Sequence, residues 1–392
     1  MPKKKICLVA PDDHSFYVLR RPLIRDLLKR NFDVTLVGAP GPYVVDLEAL
    51  GANFKPISTG RYISYLSDFI YLFRILRLFF FNKYHIIHTF TLKPNLFVPI
   101  ISRLTANGRT VISFTGLGFL RRVNTSDSIF KLILLKILEK GFFVACCVSD
   151  KIWFQNPDDF EYLSSRFKIN NTKVSIILGS GVDHNDIIVD RRKARLELLR
   201  RVKSKFDSKS IFIVMLARAL VKKGVYDYLT VARSFSSDPA RSNVKFIFVG
   251  DLDVSDTDAI DPRIIMGAPE SFQWIDSAHD ILTYLAGGDL FVLPSYYPEG
   301  LPKSILEAMS AGLPIITTDT PGCRETVEEG VNGFLVPPRS PDALAEKIGY
   351  FVDYCDTIKM GESSKLLVER KFSSTVVNKN VFEQLYEIEY ET

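Results

Sequence analysis

Cysteine is scarce. The chain of 392 residues holds five, Cys7, Cys146, Cys147, Cys323 and Cys355. The number is odd, two are adjacent and no C-x-x-C occurs, which argues against a disulfide framework or a zinc site and for reduced, mostly buried thiols in a cytosol. Long uninterrupted apolar runs are missing as well. Phe69–Phe81 is broken by Arg74 and Arg77, and Ile129–Val148 by Lys131, Lys136, Glu139 and Lys140. Neither reaches the roughly 18 apolar residues of a bilayer span. The N-terminal run Ile6–Pro11 is too short for a signal peptide and meets Asp12-Asp13 at once. Excess charge of one sign is also lacking. Fifty basic residues face 45 acidic ones, a net +5. Nucleic acid is therefore not an expected partner, and any basic surface is local.

What is present is an ordinary globular composition, 47% hydrophobic and 24% charged, long enough for two domains. Apolar segments alternate with helical ones. Ile6–Ala10, Val34–Val37, Ile86–Thr89, Thr110–Phe114 and Phe143–Val148 read as buried strands. A second series follows with Ile211–Leu216, Lys245–Gly250, Asp289–Pro294, Leu313–Thr318 and Gly333–Val336. The charged stretch Asp190–Lys205 separates the two series and reads as the first helix of the second. Such alternation predicts parallel sheets covered on both faces. The expectation is two α/β domains facing a cleft, residues 1–185 and 186–370, with 371–392 a helix packing back on the first domain.

The densest local signal is Pro294-Ser-Tyr-Tyr-Pro-Glu-Gly-Leu-Pro-Lys-Ser-Ile-Leu-Glu-Ala-Met-Ser-Ala-Gly. A strand ends at Leu293 and a Pro/Gly loop follows. Pro302 suits a first helical turn and Gly312 a helix end. The amides of Leu301, Lys303 and Ser304 would then offer an anion site for a diphosphate. Glu299 in the loop and Glu307 in the helix could accept hydrogen bonds from sugar and ribose hydroxyls. Taken alone, the segment is equally an ordinary strand–loop–helix with two solvated glutamates. A second signal is Arg218 and Lys223 in Met215-Leu-Ala-Arg-Ala-Leu-Val-Lys-Lys-Gly. Two cations after a strand of an open α/β sheet suit a leaving diphosphate, although a surface loop carries such charges too.

Together, Arg218…Lys223-Gly224, Glu299-x7-Glu307, Gly322…Glu325 and Asn332-Gly333 resemble family 4 of the glycosyltransferases. The likeness covers most of the second half. It implies the GT-B fold, two Rossmann-like doubly wound domains, with a nucleotide-sugar substrate, retention of anomeric configuration, and no metal or other cofactor. It also implies that Arg218 and Lys223 hold the diphosphate and that Glu307 binds the ribose. Glu299 with Gly300, Leu301, Pro302, Lys303 and Ser304 would face the donor, and Trp274 and Ile275 would pass near the base. In the first half, His88-Thr-Phe-Thr-Leu-Lys-Pro-Asn, Thr115-Gly-Leu-Gly, Phe154-Gln-Asn-Pro-Asp-Asp and Gly179-Ser-Gly-Val-Asp resemble a bacterial subgroup. Its members add hexoses or N-acetylhexosamines to polyprenyl-diphosphate-linked saccharides, which implies a lipid-linked acceptor and a cytoplasmic enzyme peripheral on the inner face of the cell membrane.

Two departures from the family pattern stand out. Pro11-Asp-Asp-His-Ser-Phe replaces a Gly-Gly loop after the first strand, and Phe114-Thr115-Gly116 stands where many members carry a histidine. On the acceptor side this leaves Thr115, Gly116 and His14, the last equally readable as an incidental loop residue. Asp251-Leu-Asp253 mimics a metal-binding D-x-D and reads as a solvated loop. The five histidines show no acid/base grouping of the kind a nucleotide-sugar epimerase needs. An inactive sugar-binding scaffold is opposed by the intact Arg218, Lys223, Glu299 and Glu307. Finally, Arg61–Lys83 is dense in Phe, Tyr and Leu, with four basic residues and one acidic one. It reads as a helix docking on an anionic membrane, its face extended by Arg121, Arg122, Lys131 and Lys136, or else as a core helix with Arg74 and Arg77 on its wet side.

Overall fold

The computed structural model describes residues 3–60, 65–118, 129–184, 190–202, 206–254, 256–276 and 280–390. The chain forms two compact units, Met1–Gly181 with Ser374–Thr392, and Val182–Ser373.

The first unit is built on a seven-stranded parallel sheet. Its strands are β1 (Lys5–Asp12), β2 (Asp33–Ala39), β3 (Asn53–Pro56), β4 (Ile86–Phe90), β5 (Arg109–Phe114), β6 (Lys151–Phe154) and β7 (Val174–Ile176), in the order β3-β2-β1-β4-β5-β6-β7. The helices are α1 (Asp13–Leu19), α2 (Arg21–Lys29), α3 (Val44–Ala49), α4 (Tyr65–Phe81), α5 (Leu92–Leu104), α6 (Ile129–Val148) and α7 (Pro157–Ser164). Sheet order reverses between β1 and β4, the position where open α/β sheets open a crevice beyond their strand ends. One face packs Ile6, Leu8 and Val34 against α1 and α2, and the other packs Cys7, Val9 and Ile87 against α4 and α5.

One strand expected from sequence is a helix. Phe143–Val148 ends α6, and the next strand is β6. Phe142, Ala145, Cys146 and Ser149 are buried while Val144 and Cys147 are exposed, a helical period. The apolar run is continuous enough that periodicity alone cannot separate the two readings.

The segment after Ser373 folds into the first unit. Helix Ser374–Asn380 and a π-helical turn Val381–Tyr386 lay Val377, Val381, Phe382 and Leu385 on the β1/β2 face. Asn378 and Tyr390 donate to Asp26 at 2.8 and 3.0 Å. The Tyr386 hydroxyl lies 2.7 Å from Nδ1 of buried His88, whose Nε2 lies 2.6 Å from the Ser113 hydroxyl. Burial, with the Arg20 guanidinium nearby, holds the His88 imidazole well below its usual pKa.

The second unit carries six parallel strands, β8 (Ile211–Leu216), β9 (Val244–Val249), β10 (Phe272–Ile275), β11 (Leu290–Leu293), β12 (Ile315–Thr318) and β13 (Gly333–Val336), in the order β10-β9-β8-β11-β12-β13. Helix Arg191–Arg201 precedes β8, and helix Lys303–Ser310 joins β11 to β12. Here the order reverses between β8 and β11.

Candidate active site

In the second unit, the β8 and β11 loops meet at the reversal point. Gly224 has φ +78°, and a Cβ there would lie 2.1 Å from the Pro294 carbonyl oxygen, so only glycine lets the two backbones close up. Tyr296 N–H donates to the Lys222 carbonyl at 3.1 Å, and the Ser295 hydroxyl donates to it at 3.3 Å. On its other side the β8 loop is tied to the loop after β9, where Ala219 N–H donates to Asp251 O and Val221 N–H to Asp258 O. The backbone carrying Arg218 and Lys223 is thus held from two directions.

Across the reversal, Lys223 Nζ donates to Glu299 Oε1 at 2.5 Å. Both side chains are mostly buried, 13% and 16% exposed. The same Ser295 hydroxyl also lies 3.1 Å from that carboxylate oxygen, so its one proton is shared between Glu299 and the Lys222 carbonyl. Arg218 is 59% exposed and stands 3.9 Å from Asp256, a loose pair that leaves the guanidinium accessible to a ligand. Lys222, the neighbouring cation, is instead turned to Asp258 at 3.4 Å and over the Tyr297 ring.

Helix Lys303–Ser310 begins beside this pair, with Pro302 as N-cap, one position outside the first turn where sequence put it. Ile305 and Leu306 N–H close its first turn on the Pro302 carbonyl at 3.2 and 3.4 Å. Glu307 lies one turn in, 3.6 Å from Lys303. Burial raises the Glu307 carboxyl pKa, and the Lys303 ammonium opposes that shift. Under the loop, Gly322 sits at φ +85°, where a Cβ would lie 2.6 Å from the Glu299 carbonyl oxygen. Gly322 N–H donates to Glu325 at 2.8 Å, and Glu299 N–H donates to Pro321 O at 3.1 Å. The turn after β12 is therefore the floor of the Glu299 loop.

Trp274 and Ile275 end edge strand β10. The indole N–H donates to Gly250 O at 2.8 Å and the ring stacks on Phe248. Asp251 and Asp253 lie exposed in the loop after β9. The structure thus brings Arg218, Lys223, Glu299, Gly300–Ser304 and Glu307 to the carboxyl edge of one sheet. Ser295 was missed from sequence. Its only signal is its place directly after Pro294 at a strand end.

His14, Thr115 and Gly116 belong to the first unit. His14 is exposed in α1, its ring centroid 5.6 Å from Tyr43, which stacks on Tyr17 at 4.5 Å. Asp13 beside it is buried and accepts Tyr43 N–H at 2.7 Å. Thr115 and Gly116 follow β5, Gly116 at φ +126°. His14 lies just past β1, on one flank of this sheet's own reversal point. On the other flank, beyond β4, Thr91 holds φ +72°, rare for a branched residue.

Two family models match. Residues 5–148 match "Glycosyl transferase 4-like" and residues 199–357 match "Glycosyl transferases group 1". The chain is a glycosyltransferase of the GT-B fold. A capsular polysaccharide biosynthesis glycosyltransferase, CapM of Staphylococcus aureus, is 25% identical over 92% of this chain and 91% of its own length. The N,N'-diacetylbacillosaminyl-diphospho-undecaprenol alpha-1,3-N-acetylgalactosaminyltransferase of Campylobacter jejuni is 24% identical over 86% of this chain and 87% of its own. Among solved structures, HepE of Anabaena in complex with UDP-glucose superposes with TM-score 0.77 at 18% identity, covering 98% of this glycosyltransferase and all of that chain.

Proposed function

We propose that this glycosyltransferase moves a hexose or N-acetylhexosamine from a UDP-sugar to a polyprenyl-diphosphate-linked saccharide, peripherally at the inner face of the cell membrane. The transfer retains anomeric configuration and uses no bound metal. The observation that carries the reading is the meeting of Lys223, Arg218 and a helix N-terminus at the strand-order reversal of the second unit's sheet. That combination suits a diphosphate leaving group, and the names of the Campylobacter relative and of an Escherichia coli diphosphoundecaprenol galactosyltransferase, 27% identical over 81% of this chain, support the acceptor class.

Cleavage at a sugar anomeric carbon passes through an oxocarbenium-like state. The protein's task is to stabilise the departing diphosphate with fixed donors. Lys223 spends one N–H on Glu299, which fixes its ammonium in place, and turns its others to the phosphates. Arg218 and the amides of Leu301, Lys303 and Ser304 add to the same field. Glu307 accepts from the ribose. The acceptor hydroxyl attacks from the face the diphosphate leaves, and a donor phosphate oxygen takes its proton.

The test is transfer from a panel of UDP-, GDP- and ADP-sugars to an undecaprenyl-diphosphate-linked saccharide, with products identified by mass. Transfer from a UDP-sugar is the expected result. Its absence from the whole panel, with the protein folded, overturns the reading.

A further inference from the structure

Helix α4 is apolar on both its faces. Tyr71, Ile75 and Phe79, four residues apart, are buried against Cys7, Val9 and Ile87 of the sheet. The opposite face is exposed, yet carries Leu66, Phe69, Ile70, Phe73, Phe80 and Phe81, with Leu66, Phe69, Phe80 and Phe81 each between 68% and 72% exposed. Arg74 and Arg77 stand on that same face. The core-helix reading accounts for the buried row and leaves the exposed phenylalanines unexplained. A water-facing helix side of this kind is ordinarily polar, and a contiguous apolar patch marks an interaction site.

The charges around the patch select the partner. Asp68, the one acid on α4, is paired with Lys93 of α5 at 2.6 Å and both are mostly buried, so no exposed carboxylate opposes an anion. Lys83 lies just beyond the helix end, anchored to the Thr105 carbonyl at 2.5 Å. The exposed face is therefore apolar and cationic, with no exposed acid on α4. Arg77, amid the phenylalanines, has the long stem that lets a guanidinium reach up to headgroup phosphates while neighbouring rings sit lower. No helix among the described residues is long and apolar enough to cross a membrane.

We infer that the exposed face of α4 docks flat on an anionic lipid bilayer, with Phe69, Phe73, Phe80 and Phe81 among the acyl chains and Arg74 and Arg77 at lipid phosphates. Of the basic extension expected from sequence, Lys136 is exposed on α6 with Ile137 and Lys140 beside it, whereas Arg121, Arg122 and the Lys131 side chain lie outside the described residues, as does Arg61 at the start of the expected docking segment. The docking surface deepens the lipid-linked acceptor proposed above, but its test needs neither donor nor acceptor.

The experiment is co-sedimentation of the full chain with vesicles of phosphatidylcholine alone or with one third phosphatidylglycerol, at low and high salt. Wild type is expected on the anionic vesicles at low salt, with weaker binding at high salt and on neutral vesicles. Arg74→Ala/Arg77→Ala should bind about 30-fold more weakly to anionic vesicles, from the loss of two surface cations. Phe73→Ser/Phe80→Ser should lose at least ~10-fold on either vesicle, since the rings supply insertion. All four side chains are exposed, and thermal melts verify that both variants stay folded. Wild type that ignores anionic vesicles at low salt, or variants that bind as it does, overturns the inference. A dimer in solution that falls apart in Phe73→Ser/Phe80→Ser also overturns it, by showing that a second copy covers the face. Sugar transfer to a water-soluble acceptor, unchanged in these variants, keeps a docking failure separate from a failure of the proposed reaction.

Discussion

Replacing Lys223 and replacing Arg218 should damage the enzyme in different ways. Lys223→Ala leaves Glu299 mostly buried with the Ser295 hydroxyl as a remaining partner. Breaking a fully buried ion pair costs about 3–5 kcal/mol. The 13% and 16% exposure of these side chains and the surviving Ser295 bond bring the expectation to about 2–3 kcal/mol, or roughly 4–12 °C in melting temperature for a unit of this size. Arg218 is 59% exposed and only loosely paired, so Arg218→Ala should cost less than about 0.5 kcal/mol. Each substitution should lower turnover by about 10²–10³-fold, the usual loss of one charge-stabilising donor. Lys223→Met/Glu299→Gln removes both charges together and should return stability to within about 1 kcal/mol of wild type, while turnover stays low. Melts and turnover on the same preparations decide it. Near-normal turnover in Arg218→Ala and Lys223→Ala, or a double variant that recovers turnover, would refute the reasoning.

Glu307→Gln should weaken donor binding about 10–100-fold through loss of a hydrogen bond to a charged group, read by calorimetry. Because burial raises the Glu307 pKa, its carboxylate form opposes folding, so the Gln variant should gain stability relative to wild type as pH rises from 4.5 to 7.5. Equal pH profiles would contradict this. His88 is lowered instead. The folded state resists its protonation, so the stability it supports is intact above about pH 6.5 and falls below that by up to ~1.4 kcal/mol per pH unit. Denaturant melts should show a shallower acid slope in His88→Gln than in wild type. EDTA should leave most transfer activity, and proton NMR of fresh product should show the donor's anomeric configuration. A Mg- or Mn-reversible loss, or an inverted anomer, counts against the proposed mechanism.

The buried strands were legible where an apolar run meets Gly, Pro or Asp at its end, as at Val292-Leu293-Pro294, Phe248-Val249-Gly250 and Leu335-Val336-Pro337. Strands β3, β7 and β10 were not, being short and at or near sheet edges, where Asn53, Lys55 and Gln273 interrupt the apolar pattern. Strand β6 was hidden by the apolar end of α6 just before it. The site was legible where local chemistry is unusual, a cation pair and a Pro/Gly loop before a helix. The Lys223–Glu299 bond joins residues 76 positions apart and follows from strand order, which no local pattern encodes. The same holds for the floor that Gly322 provides, and for the His88–Tyr386 contact, which joins residues 298 positions apart. Sequence density in Phe and Tyr pointed to α4, but only its burial separated the row on the sheet from the row in water.

The central claim is that a nucleotide diphosphate binds at the β8/β11 reversal through Arg218 and Lys223. Calorimetric titration of UDP into wild type, Arg218→Ala and His14→Ala tests it most directly. The account predicts binding to wild type, equal binding to His14→Ala, and about 10–100-fold weaker binding to Arg218→Ala, the worth of one charge-assisted contact. Equal affinity of Arg218→Ala and wild type, or no binding of UDP to folded wild type, would contradict it.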